Sequence, residues 1–166
     1  EEEKVLQPLK RHPGLVSLSR HHHEALRMSL FVSKLTEDTS EERILEERNN
    51  WLTFWHQGGQ EHFREEEEIL LPTYAQYAEI DQPEVIQLMI EHVQVRSKFI
   101  QIEQMTEGSA KLLTTLQELG VMLEKHVRLE ERVVFPMIEA SLPAEEWKRL
   151  APLLHHDEEQ SCAIGD

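Results

Sequence analysis

Histidine and glutamate recur at one spacing in two places in this chain. Residues 62–72 read HFREEEEILLP and residues 126–136 read HVRLEERVVFP; each begins with histidine, carries glutamate four residues later and ends in proline. Residues four apart lie one turn above each other on the same face of an α-helix. Each copy therefore presents an imidazole beside a carboxylate, a combination typical of metal sites. The pairs are His62 with Glu66 and His126 with Glu130.

Apolar residues at helical spacing around these pairs predict that both face the protein interior. Two more histidines occupy the same position in an apolar stripe. His22 follows Leu18 by four residues, and His92 follows Leu88 by the same step. Four helices would thus each bring one inward histidine to about mid-length, and two of them add an inward glutamate.

Inward carboxylates need a partner, because burying an unpaired carboxylate costs several kcal/mol. These registers offer no inward Lys or Arg, so a cation is the expected partner. Imidazole and carboxylate ligands without thiolate suit iron, manganese or zinc, and four histidines with two bridging glutamates suit a pair of ions. A lone core histidine is more often satisfied by a backbone carbonyl or water, but four at one level favour the metal site.

The elements that must position these residues are predicted to be helical. The first helix follows RHPG and extends to about Leu35. The second begins after a capping box formed by Thr39 and Glu42, and Pro72 should kink or end it.

Three more helices follow. The third is predicted to start after an N-cap at Asp81 and to end at the EGS sequence of residues 107–109. The fourth carries the second motif and is interrupted by Pro136, and a short fifth covers about 142–156. No strand is predicted, so the fold class is all-α.

Four long amphipathic helices with short connections favour an antiparallel up-down-up-down four-helix bundle, because each apolar stripe must be buried against the others. The repeated motif predicts an internal two-fold repeat of a helical hairpin. We expect one domain over 1–166, with the bundle at about 12–138 and a short C-terminal helix and tail at 143–166.

Composition narrows the partners and the location. Seventeen basic and thirty-two acidic residues give a net charge of -15, which disfavours nucleic acid and anionic membranes. The single cysteine, Cys162, excludes an internal disulfide and any thiolate-rich site. No apolar run could span a bilayer and no signal peptide is visible, which predicts a cytoplasmic protein. No feature predicts a particular protein partner.

The segments SLSRHHHEAL, IEHVQV, HFREEEEILLP and HVRLEERVVFP resemble the hemerythrin-like family of His-His-Glu cation-binding domains, over about residues 12 to 138. The resemblance implies a bundle holding two non-heme iron ions bridged by an oxo or hydroxo group, with zinc or manganese as alternatives. It places the ligands at His22, His62, Glu66, His92, His126 and Glu130, with Glu66 and Glu130 as bridges.

The sequence departs from the oxygen-carrying hemerythrins. They add a second histidine one turn along the third helix, where this chain has Arg96, and an aspartate five residues after the last histidine, where Glu130 here comes at four. Fewer histidines leave more coordination positions open. We therefore expect binding, sensing or reaction with O2, peroxide or NO, or iron handling, rather than reversible O2 storage. The alternatives are a di-iron oxidase or peroxidase and a structural or interaction module stapled by metal.

Residues beside the predicted ligands leave alternatives open. His23 could replace His22 as the ligand, whereas His21 is expected to face solvent. Glu67 and Glu131 could ligate a metal, orient a ligand histidine from outside the site, or lie on a solvated surface.

Glycines and glutamates near the first motif have two interpretations each. Gly58 and Gly59 lie one turn before His62, on its side of the helix, and either admit a small ligand or permit close helix packing. In the glutamate run at 65–68, only Glu66 is predicted to face inward, the rest forming a charged surface.

Overall fold

The structure, a computed structural model, describes residues 10–154. Every regular element in this range is helical and no strand occurs there, which confirms the all-α prediction. A 3-10 turn, Pro13–Leu15, leads into α1, Val16–Ser33. The third helix, α3, spans Pro83–Gln104.

The two helices that carry the repeated motif are long and contain π-helical turns. Helix α2 covers 41–74 as Glu41–Phe54, the π turn Trp55–Gly59, Gln60–Glu65, the π turn Glu66–Leu70 and Leu71–Tyr74. Helix α4 covers 110–141 as Ala110–Leu129, the π turn Glu130–Val134 and Phe135–Ser141. A short α5, Ala144–Leu150, is followed by the 3-10 turn Ala151–Leu154.

Helix α2 begins at a different cap from the one predicted. Ser40 is the N-cap, and its hydroxyl accepts a hydrogen bond of 3.2 Å from the backbone N–H of Arg43. The Thr39 hydroxyl instead accepts from the backbone N–H of Thr36, within the preceding turn. The predicted capping box of Thr39 and Glu42 is therefore wrong by one residue.

The start of α3 differs from the prediction in the same way. Gln82 rather than Asp81 is the N-cap, because Pro83 takes the first helical position, where its missing N–H is not needed. The Gln82 amide donates to the Tyr74 hydroxyl at 3.0 Å. The helix ends at Gln104, shortly before the EGS sequence.

The predictions that Pro72 ends α2 and that Pro136 interrupts α4 are wrong, because each helix continues past its proline, whereas the alternative of a kink at Pro72 stays a prediction. Each proline lies in the first turn of the α-helical segment that follows a π turn. Residues in the first turn of a helical segment do not need to donate an α-helical hydrogen bond, so a proline there is tolerated. The helices continue to Tyr74 and Ser141.

Helix α4 packs against α1 and α3, and α2 contacts both α3 and α4. Near the start of α4, Gln117 donates to the carbonyls of Val32 and Leu35 at the end of α1. Near the start of α1, Ser19 donates to the Glu131 carboxylate toward the end of α4, at 2.7 Å.

The buried apolar side chains form two separate clusters. The first, cluster A, includes Leu18, Leu70, Leu88, Val134 and Trp147. The second, cluster B, includes Met28, Trp51, Trp55, Val95 and Leu123. The predicted site residues fall between the two clusters along all four long helices, so a polar layer divides the core. All three tryptophans, Trp51, Trp55 and Trp147, pack in the core.

The C-terminal helix is confirmed as α5, whose Trp147 and Leu150 are buried in cluster A. The predicted tail from residue 155 onward, with Cys162, lies outside the described residues. Within residues 10–154, no helix combines the length and the apolar character needed to cross a membrane.

Candidate metal centre

The six predicted ligand residues meet in the polar layer between clusters A and B. Each is at most 5% exposed. One comes from α1, two from α2, one from α3 and two from α4: His22; His62 and Glu66; His92; His126 and Glu130. The six side chains that the apolar register of the sequence predicted to face inward thus lie together in one buried cluster.

These side chains form two groups that could each hold a cation. The first contains Glu66, His92, His126 and Glu130, and the second contains His22, His62 and Glu130. Within each group the potential ligand atoms lie within 4.8 Å of one another. Glu130 belongs to both groups. Glu66 also faces both, since its Oε1 lies 2.8 Å from His62 Nε2 and 3.8 Å from His92 Nε2.

The two motifs share a backbone conformation as well as residue types. A π turn begins at Glu66 in α2 and another at Glu130 in α4, each four residues after a histidine. Single π turns inside α-helices are frequent at functional sites. A sequence register with a period of 3.6 residues did not predict them.

Three glutamates outside the polar layer make hydrogen bonds with Nδ1 of three of the ligand histidines. The Oε1–Nδ1 distances are 2.7 Å from Glu131 to His22, 3.2 Å from Glu67 to His92 and 3.0 Å from Glu91 to His126. Of the alternatives left open for Glu67 and Glu131, the structure supports the orienting one. Such carboxylates fix the orientation of a ligand imidazole and raise its basicity.

Glu91 was not predicted as part of the site. Its sequence signal is weak: it directly precedes His92 and follows Gln87 by four residues, and Gln87 donates to it at 2.8 Å. Its partner is His126 on the next helix, which no spacing within α3 reveals.

Arginines support two of these outer carboxylates. Arg11 Nη2 lies 2.9 Å from Glu131 Oε2, and Arg96 Nη2 lies 2.6 Å from Glu67 Oε2. Burial alone would raise the pKa of Glu67, Glu91 and Glu131, but the histidine hydrogen bonds together with neighbouring donors and positive charges outweigh it and hold each pKa below its ordinary value. The outer carboxylates are therefore ionised when they face the histidines.

His62 is the exception among the four histidines. Its Nδ1 is buried and has no hydrogen-bond partner. The ring of His21 stacks on the His62 ring with 5.5 Å between the centroids, and the ring of His22 lies at 4.9 Å. His21 is half-buried, so the prediction that it faces solvent is wrong. Gly58 makes room for it, because a Cβ at that position would lie 2.6 Å from His21 Cε1.

The inner groups shift one another's protonation. Burial and the Glu130 carboxylate raise the pKa of Glu66 well above its ordinary value. Burial would also raise the pKa of Glu130, but His126 outweighs it and the pKa falls well below the ordinary value. Burial would lower the pKa of His126, yet Glu130 and Glu91 raise it to about 9. Burial and His22 lower the pKa of His62 well below its ordinary value.

Several buried polar atoms of the polar layer make no hydrogen bond. Both oxygens of Glu66, both oxygens of Glu130 and Nε2 of His22 are buried and make no hydrogen bond of acceptable geometry, although His62 Nε2 lies 2.8 Å from Glu66 Oε1. Buried polar atoms in native proteins are nearly always hydrogen-bonded, and buried carboxylates are paired or coordinate metals. The donor set therefore fits cations held between the four helices.

Comparison with protein families agrees with this geometry. The model of the hemerythrin HHE cation-binding domain matches residues 14–138, and a second match covers residues 84–160. The chain belongs to the hemerythrin HHE family. Members of this family carry a cation-binding domain, so this HHE domain binds a metal cation, and the His/Glu cluster is suited to hold it. Neither the search of curated proteins nor the search of solved structures found a match.

Arg96 occupies the position where oxygen-carrying hemerythrins have their additional histidine. In this HHE domain it donates to Glu67 and its guanidinium carbon lies 5.6 Å from the ring centroids of Trp55 and Phe63. It thereby supports His92 through Glu67 rather than contributing a ligand of its own.

Other residues near the motifs lie outside the cluster or differ from the prediction. His23 is exposed on α1, which removes it as an alternative ligand. His12 lies outside the cluster, where its ring stacks on that of Trp147 with 4.0 Å between the ring centroids. Glu65 is only 4% exposed, so the glutamate run has more inward members than predicted, because α2 packs against two helices at once.

Two spaces adjoin the cluster on the side of α1 and α2. A small cavity of about 20 Å³ borders His22, His62 and His126, with apolar walls that include Phe63, Phe99, Leu123 and Val127. A surface groove of about 550 Å³ runs between α1 and α2 and includes Arg27, Arg43, Glu47 and Asn50. His21 lines both spaces.

Proposed function

We propose that this HHE domain holds two iron ions in its polar layer and uses them to bind, sense or react with O2, peroxide or NO. His92 and His126 would hold one ion and His22 and His62 the other, with Glu66 and Glu130 bridging the two. Iron supplies reversible electron transfer to such ligands. The observation that carries the proposal is a carboxylate, Glu130, shared by two buried ligand groups beside an apolar cavity.

The number of donors leaves room for an incoming ligand. Two six-coordinate ions offer roughly twelve positions by the octahedral preference, and four histidines with two bridging glutamates fill about eight. The outer carboxylates and Arg96 are engaged in hydrogen bonds with histidines or with one another and are not ligands. The remaining coordination positions of the two ions are therefore left to small molecules.

The cavity limits the size of that ligand. About 20 Å³ is room for one molecule of the size of water or a diatomic gas. Its apolar lining favours a weakly hydrated ligand over a charged one. Larger substrates would have to react from the surface groove, with His21 between them and the cluster.

The bundle that carries this site is proposed to run up-down-up-down with an approximate two-fold repeat. The contacts of Gln117 and Ser19 pair opposite ends of α1 and α4. Arg48, early in α2, donates to the carbonyls of Ile102 and Glu103 late in α3, which supports opposite directions for that pair as well.

The test is metal content together with the optical spectrum of protein from iron-supplied cells, before and after adding azide to the oxidised form. We expect about two irons per chain and absorption bands that change with azide. His62→Ala should lose iron, whereas His56→Ala, an exposed histidine on the same helix that faces Glu103, should keep it. One zinc per chain, or none with the fold intact, would overturn the proposal and favour a metal-stapled interaction module.

A second candidate, a di-iron oxidase or peroxidase, gains support from the surface groove, which supplies polar anchors for an organic reductant. Glu47 is 2% exposed in it, and Arg43 stacks over Phe31 at 4.9 Å. Burial raises the pKa of Glu47, and Arg43 opposes the shift. Turnover of peroxide with an aromatic reductant, weakened by Glu47→Gln at unchanged iron content, would favour this enzyme over a sensor.

A further inference from the structure

The outer face of α3 differs from the rest of the protein surface. Between Pro83 and Gln101, every exposed residue is uncharged, although 30% of the chain is charged. Five of the exposed residues are large and apolar, with 38 to 68% of their surface accessible: Ile86, Met89, Ile90, Val93 and Ile100. We call these five residues the α3 face.

Three of the four charged residues in this part of α3 make their contacts away from the α3 face, and the fourth, Glu84 in the first turn, is half-buried. Glu91 is buried against His126, Arg96 is paired with Glu67 at 2.6 Å, and Lys98 is paired with Glu118 at 2.6 Å. The lack of charge on the outer side is therefore a property of one helical surface and not of the whole helix.

The spacing along the α3 face is that of a helix-pairing seam. Positions 86, 90, 93, 97 and 100 alternate steps of four and three residues and carry Ile, Ile, Val, Ser and Ile. This is the heptad pattern by which two helices interlock their side chains. Next to the seam, glutamines recur every seven residues, at 87, 94 and 101.

We propose that the α3 face binds a second copy of this chain in a symmetric homodimer. Two molecules of net charge -15 repel each other over most of their surface and can approach closely only where charge is missing. A two-fold axis would place each face against its own copy. Glutamine amides both donate and accept hydrogen bonds, so Gln94 and Gln101 can pair with glutamines of the second copy, whereas Gln87 already donates to Glu91.

The size of the face sets the strength of the dimer. From 86 to 100 the seam is about 21 Å long at 1.5 Å per residue, and Ile80 from the preceding connection extends the apolar surface beside Ile86, Met89 and Ile90. One helix pair of this length buries less than the roughly 800 Å² per partner of a standard interface. The dimer is therefore weak, with a dissociation constant of roughly micromolar or above. It tightens with added salt, because salt screens the repulsion between the two acidic chains.

The proposal is tested by sedimentation velocity of the full chain at protein concentrations from roughly 1 μM to several hundred μM. We expect a shift from one to two chain masses that is stronger at high salt. Val93→Glu puts two charges at the centre of the seam and should abolish the shift, and Ile100→Glu should do the same. Val121→Glu is the matched control, since Val121 is 63% exposed on α4, outside the α3 face.

A chain that stays monomeric at every concentration and salt level overturns the proposal and leaves the face to another partner. A dimer that Val93→Glu and Ile100→Glu leave unchanged, with circular dichroism showing intact helices, overturns it too, because the copies would then meet elsewhere. Both variants affect exposed side chains, so the helical signal is expected to stay as in the parent chain.

Discussion

Glu91 offers the sharpest test of how the polar layer holds its cations. Its Oε1 lies 3.0 Å from His126 Nδ1, and its Oε2 accepts from Gln87. In Glu91→Gln, the amide oxygen still accepts from His126 and Gln87 can turn to accept from the new amide, but a charge-assisted hydrogen bond becomes a neutral one of about half the strength. The loss is about 1 to 1.5 kcal/mol, or about tenfold in affinity. Glu91→Ala leaves Nδ1 unpaired and should approach the hundredfold limit for such partners.

Only one of the two ligand groups contains His126. We therefore expect anaerobic titration with Fe(II), read by competition with a chelator, to show one weakened equivalent and one unchanged equivalent per chain. Glu107→Gln, an exposed glutamate beyond the end of α3, is the control for the change in net charge. Equal weakening of both equivalents, or none in either Glu91 variant, would refute the assignment of Glu91 to one group.

Two further predictions concern the inner face and the wall of the site. Glu66→Gln should raise the melting temperature of the metal-free protein and abolish the stabilisation by added metal. Because the folded-state pKa of Glu66 is raised, its ionisation costs stability as the pH rises above about 4.5, so the gain should grow with pH in calorimetric scans. Gly58→Leu should displace His21 and slow azide binding in stopped-flow, whereas His56→Leu, at an exposed position that faces Glu103, should not; equal rates for Gly58→Leu and the parent chain would exclude access beside Gly58.

The sequence predicted the helices and the six clustered residues because both depend on a repeating apolar register. His22 and His92 could be identified without a motif of their own, since each lies in a stripe that must be buried. The helix count and the buried layer follow from the same periodicity.

What the sequence did not predict depends on local backbone geometry or on contacts between helices. The π turns at 66–70 and 130–134 change the register within α2 and α4, which is why Pro72 and Pro136 sit inside helices rather than at their ends. Glu91 and His21 act on residues of other helices, His126 and His62, and no spacing within one helix encodes such a contact.

The division of the core into clusters A and B has a consequence for how the protein comes apart. Each long helix passes through both clusters, but the layer between them consists of imidazoles and of two carboxylates, Glu66 and Glu130, whose oxygens make no hydrogen bond. Such a seam separates cooperative units that open with different free energies. Cations bound there would tie all four helices at one level, so metal occupancy decides whether the two halves unfold together in one transition or separately in two.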